Sequence, residues 1–205
     1  MQNPPRYSPR LGANLNLAIV DIETTSLHAE DGIILNARVK PLGKPARVFG
    51  LHEQGFGPSD AHLDEKVVLA LRAEMERFDG WITWYGLMFD LCFIDDRLML
   101  CNHSPLERRF ARGLDMMYQA SWGKGTFERR SLEHVAYHLG YPGKTAHRVP
   151  LSKTIGEEAK KEAKSRFKNG RKFYDIVLKH NEGCVAMTAF AYERLKPRIV
   201  TVSKR

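Results

Sequence analysis

Residues 15–25 read LNLAIVDIETT. The opening of this stretch is a short apolar run rich in strand formers, which predicts a buried strand. Asp21 and Glu23 follow it, two residues apart, and side chains two apart on a strand share a face. Two like charges on one face repel, and burial raises the cost. A divalent cation removes that cost, because carboxylate oxygens are the preferred ligands of Mg²⁺ and Mn²⁺. The competing reading is a solvated D-x-E at a strand end.

Around this stretch the chain alternates strand and helix patterns. IILNARVK (33–40) and ARVFGL (46–51), separated by PLGKP, predict two further strands. The Pro/Gly punctuation makes the first three strands an antiparallel meander. Residues 59–78 carry helical periodicity through Leu63, Val67, Leu71 and Met75, with Ser59 and Asp60 as caps. GWITWY (80–85) reads as a fourth strand, MFDLCFIDDRLML (88–100) as a helix and GLDMMY (113–118) as a short fifth strand. SLEHVAYHLG (131–140) is a helix with Ser131 as its N-cap. From about 155 to 195 the pattern is helical, divided at Gly170 and ended by Pro197. The order βββαβαβααα predicts an α/β fold, a central mixed five-stranded sheet flanked by helices. One domain over 15–205 is expected, preceded by a flexible arm at 1–14.

The chain has 205 residues, 43% of them hydrophobic and 27% charged, enough for one real core. No apolar run is long enough for a membrane span, and MQNPPRYSPRLGAN has no apolar signal core. The three cysteines form no C-x-x-C motif, which points to a reducing, cytoplasmic setting. No Gly-rich phosphate loop of the G-x-x-x-x-G-K-[ST] kind is present, so nucleotide hydrolysis has no support. Net charge is +8, which favours a polyanionic partner such as nucleic acid. The charge concentrates in KKEAKSRFKNGRK (160–172), where Lys164, Arg166, Lys168, Arg171 and Lys172 read as phosphate contacts. Phe167 among them is the candidate for stacking on a base. A solvated helix face is the alternative for the stretch. Trp81, Trp84 and Trp122 read as core or sheet cover.

A second acid stands out in WITWYGLMFDLCFIDDRL (81–98). The aromatic strand breaks at Gly86, and a helix opens on Phe89 and Asp90. Asp90, in the first helical turn, is placed to project over the sheet edge, or simply to complement the helix dipole. Asp95 and Asp96 read as solvent-side charges. His134 and His138 share a helical face but lack a third ligand between or beside them.

The D-x-E after the first strand and the F-D opening a helix after the fourth together resemble the DEDD superfamily of 3′-5′ exonucleases, which includes the DnaQ-like proofreading subunits and the exonuclease domains of family B polymerases. The likeness runs from about residue 15 to 200, and IVLKHNEGCVAMTAFAYERLKPRI resembles the final helices of that family. It implies a ribonuclease H-like fold and two-metal phosphodiester hydrolysis with Mg²⁺ or Mn²⁺. Asp21, Glu23 and Asp90 would be the metal ligands, acting on nucleic acid at a single-stranded 3′ end. A polymerase or replication partner is among the implied contexts.

One position departs from the family. Its third motif places an Asp in the last helices, and aligning HNEGCV (180–185) puts Cys184 at that Asp and His180 where a residue orients the attacking water. Glu182 and Asp175 lie elsewhere round the helix, and Asp115 sits on another element. A thiol is a poor ligand for Mg²⁺. Three readings follow: an exonuclease in which Asp21, Glu23, Asp90 and His180 suffice; a nuclease-derived module that binds nucleic-acid ends without cutting; or a Cys184–His180 transition-metal site, for which two ligands fall short of a zinc set. Plain helix packing by Cys184 is the fourth possibility.

Overall fold

The computed structural model describes residues 15–107, 112–121, 127, 130–142 and 153–200. The predicted arm at 1–14 and Trp122 lie outside them. Three strands come first, β1 (Leu17–Thr24), β2 (Ile34–Pro41) and β3 (Arg47–Gly50). A short α1 (Leu51–Gln54) and α2 (Glu65–Met75) lead to β4 (Gly80–Thr83) and α3 (Asp90–Leu100). The chain closes with β5 (Gly113–Asp115), α4 (Met116–Ala120), α5 (Leu132–His138), α6 (Lys153–Lys164) and α7 (Lys172–Val200). The sheet order is β3-β2-β1-β4-β5. β1, β2 and β3 form the antiparallel meander, while β4 and β5 run parallel to β1.

Both faces of the sheet are covered, and the two-residue period of β1 sorts its side chains between them. Ala18, Val20 and Ile22 join the core beneath α2, α3 and α6. Leu17 and Ile19 face the opposite way, toward Val185, Tyr192 and Leu195 of α7 and Met116 and Ala120 of α4. Asp21 and Glu23, in step with Leu17 and Ile19, are thereby delivered to the α7 side.

A buried ion pair fixes the loop that leaves β1. Arg97 of α3 holds Asp64 through Nη2 at 2.5 Å and Nε at 3.1 Å. The same guanidinium donates to the carbonyls of Ala29 and Ala61, and Asp64 accepts the Ile34 amide. Both side chains are buried. Asp64→Ala would strand the Arg97 charge, so a loss of about 3–5 kcal/mol is expected in urea unfolding. A loss within about 1 kcal/mol of zero would mean the pair is solvated like a surface bridge.

Four expectations change. The 113–118 strand stops at Asp115, whose carboxylate caps α4 by accepting the amides of Met117 and Tyr118. The helix expected from residue 59 begins only at Glu65. Asp95 is buried and accepts the Leu106 amide at 2.7 Å, because the chain leaving α3 folds back over it. Pro197 lies inside α7 rather than ending it. Tyr192, Leu195 and Ile199 are buried at helical spacing, so packing carries the helix one turn past the lost amide. Gly170, at φ 102°, does divide α6 from α7.

Candidate active site at the end of the first strand

β1 outruns its parallel neighbour. Its pairing with β4 ends at Ile19–Ile82, so the edge of β1 beyond that point has no ladder partner on that side. Asp90 fills the gap: its Oδ1 accepts the Ile22 amide at 3.0 Å. The first residue of α3 is thus locked between Asp21 and Glu23 along the chain direction, and its carboxyl is buried.

The turn that delivers Asp90 is held from β5. Asp115 accepts the amides of Tyr85 and Leu87 at 3.2 and 3.4 Å. Tyr85 has φ 66°, a left-handed conformation that needs such support. Gly86 abuts Thr83 so closely that a Cβ there would meet its side chain at 2.3–2.6 Å. Glycine at the break in the aromatic strand is therefore a packing requirement.

From the other side, α7 presents three residues to β1. Asn181 is buried, and its Nδ2 donates to Asp21 Oδ2 at 2.6 Å and to the Asp21 carbonyl at 3.2 Å. His180 Nε2 lies 3.8 Å from Glu23 Oε1. Cys184 Sγ lies 3.5 Å from the same His180 Nε2. Glu23, His180 and Cys184 offer ligand atoms all within 4.8 Å of one another. Asn181 is a site residue that the sequence reading passed over; its one signal was adjacency to His180 on a helix.

The carboxylates disturb one another. Burial, then the Asp90 charge, holds Asp21 well above the usual carboxyl range, while the Asn181 hydrogen bond pulls it back. Burial, then Asp21 and Asp90, does the same to Glu23. Asp90 is pushed up to about 7 by burial, against the Ile22 amide, which favours its ionised form, and with the Asp115 charge. Cys184 is driven upward by burial and then by Asp21, Glu23, Glu133 and Asp90, so the thiol carries its proton when no cation is near. Burial of all three acids, with the Asp90 charge acting on Asp21 and Glu23, is a standing demand for positive charge.

The basic stretch lies toward the same end of the sheet. Gly156 of α6 sits beside Thr24 and Thr25 at the end of β1. Farther along, Lys164 pairs with Asp60 at 3.2 Å and Arg171 with Asp175 at 3.2 Å. Arg166 lies over the Phe56 ring and Lys172 over Phe173; Lys168 is exposed. Phe167, expected to stack on a base, is half-buried among Tyr174, Phe56 and His52, with ring centroids at 4.8, 5.6 and 5.9 Å. Its faces are engaged by the protein itself, because the left-handed turn at Arg166 and Phe167 folds the ring back onto the core.

A family model described as the RNase_H superfamily matches residues 18–155. No curated protein matches the sequence. Among solved structures, the chain is similar to the family B DNA polymerase from the hyperthermophilic archaeon Pyrobaculum calidifontis, with a TM-score of 0.64 and 15% identity. That likeness covers 93% of this chain but only 27% of the polymerase, and at such identity it is a likeness of fold. No helix among the described residues is long and apolar enough to cross a membrane.

Proposed function

The chain belongs to the RNase_H superfamily, and from that premise we propose that it is a metal-dependent 3′-5′ exonuclease acting on DNA or RNA. The observation that carries the reading is the convergence of Asp21, Glu23 and Asp90 from β1 and α3 into one buried spot, where the Asp90 charge raises the proton affinity of Asp21 and Glu23, and the Asp21 charge that of Glu23. Buried carboxylates are normally paired with cations; Asp21 and Asp90 instead accept neutral donors, the Asn181 amide and the Ile22 amide, which bring no positive charge.

The donor set fits hard divalent cations on the side of Asp21 and Asp90, where every ligand atom is a carboxylate oxygen. It fits less well beside Cys184. When bound, two Mg²⁺ or Mn²⁺ ions supply charge stabilisation to the attacking and leaving oxygens of a phosphodiester. Asn181 fixes the rotamer of Asp21, and the Ile22 amide fixes that of Asp90. His180, beside Glu23, would help to orient the attacking water. Lys164, Arg166, Lys168, Arg171 and Lys172 hold the phosphates of the incoming strand, with affinity falling as salt rises. Action beside a polymerase would suit such a 3′-end enzyme.

A single strand labelled at its 5′ end should shorten to a ladder in Mn²⁺, and the same strand blocked at its 3′ end should stay intact. Asp21→Ala should slow the reaction about a thousandfold or more, on the order of 4 kcal/mol of transition-state stabilisation. Cys184 favours one rival, a module that binds strand ends without cutting. Binding with no cleavage by the native protein in either ion, with cleavage appearing in Cys184→Asp, would decide for that rival.

A further inference from the structure

Two ligands on one helix fall short of a zinc site, but the fold supplies a third. Cys184 and His180 share a face of α7, and β1 brings Glu23 against them. A tetrahedral Zn²⁺ site has bonds of about 2.3 Å to sulfur and about 2.0–2.2 Å to nitrogen and oxygen, which places its ligand atoms roughly 3.4–3.6 Å apart. The observed Sγ···Nε2 separation is 3.5 Å and Nε2···Oε1 is 3.8 Å. The first matches, the second is longer by a few tenths of an ångström, and all three donors lie within 4.8 Å of one another, so side-chain settling brings them to the spacing of a filled site. Their chemistry is also selective: a thiolate and an imidazole favour a borderline-soft ion, and neither is a ligand that Mg²⁺ prefers.

We propose that Glu23, His180 and Cys184 form a transition-metal site, with Zn²⁺ as its natural class of occupant, at the flank of the Asp21 and Asp90 carboxylates. Three protein ligands leave one tetrahedral position open, the pattern of zinc sites that act on a substrate rather than hold a fold together. Binding deprotonates the thiol, whose proton passes to solvent. The existence of the site stands on the three donors; its use, in selecting the ion beside which the phosphodiester is cut, rests on the nuclease reading above. Cys184 is then a change of ion at a working site.

Co²⁺ is the probe, because a cobalt–thiolate bond gives a near-ultraviolet charge-transfer band that carboxylate and imidazole ligands do not. Titrating Co²⁺ into the chelator-treated full chain should produce that band, and Zn²⁺ should then displace it. The band should vanish in Cys184→Ser and persist in Cys92→Ser and Cys101→Ser. Glu23→Gln and His180→Ala should each weaken Co²⁺ binding by more than the 10–100-fold that removal of an outer-shell partner costs. A native protein without the band, or a band that survives Cys184→Ser, overturns the proposal. The two readings fail separately. Mn²⁺-dependent shortening of the strand without a cobalt band leaves the nuclease and removes the zinc site. The band without cleavage in any metal does the reverse.

Discussion

Asp90→Asn should make the metal-free protein more stable at pH 8 while leaving it inactive as a nuclease. The Asp90 carboxyl is raised from its usual 3.8 to about 7, chiefly by burial. Between those values the folded chain holds a proton that the unfolded chain has released, so stability falls as pH rises through this window. The contribution is fully present below about pH 4 and fully lost above about pH 7. Each tenfold rise in a group's proton affinity on folding is worth about 1.4 kcal/mol, so Asp90 costs a few kcal/mol at pH 8. Asparagine has no charge to bury, and its Oδ1 keeps the Ile22 amide bond that the aspartate makes. In chelator, native protein should lose about 2–4 kcal/mol more between pH 5 and pH 8 than Asp90→Asn does, by urea unfolding. Mn²⁺ should restore the native protein at pH 8 and do little for the variant. If Asp90→Asn were the less stable of the two at pH 8, the buried Asp90 charge would not be costing the fold stability.

The second large effect is a switch of metal at Cys184. Cys184→Asp replaces a thiol next to His180 with a hard oxygen ligand, and Mg²⁺ prefers oxygen. Cleavage supported by Mg²⁺ should rise on the order of a hundredfold, the scale on which single groups around a metal alter activity. Activity supported by Mn²⁺, which is less exacting about its ligands, should rise less. The measurement is the rate of strand shortening in each metal, native against variant. An unchanged ratio of Mg²⁺ to Mn²⁺ rates would mean that residue 184 touches no ion.

Strand alternation and turn chemistry made much of this legible beforehand. Asp21 and Glu23 follow a run whose period could only put them on one face, and Asp90 opens a helix after a strand broken by glycine. The mixed sense of the sheet followed from the meander and the alternating helices, while the order β3-β2-β1-β4-β5 emerged only in the structure. Less legible was whatever depends on which element packs where. Asn181 looks like any polar residue on a charged helix until α7 crosses β1 and turns it onto Asp21. Asp95 carries the signature of a solvent charge, yet the chain after α3 covers it. Phe167 sits among lysines and arginines, and only the left-handed turn at Arg166 and Phe167 sends its ring inward. Glu23 as the third donor to His180 and Cys184 is the same kind of fact, a contact across more than 150 residues of chain that no local pattern encodes.

The most direct test counts ions. The chelator-treated chain, brought to pH 8 and titrated with Mn²⁺, removes free-ion spin-resonance signal in proportion to what it binds. Two ions per chain are predicted at saturation, as a two-metal hydrolase requires, with at least one lost in Asp21→Asn. A native chain that leaves the free-ion signal undiminished at saturating Mn²⁺ would contradict the account, since Asp21, Glu23 and Asp90 would then crowd together with no cation to hold.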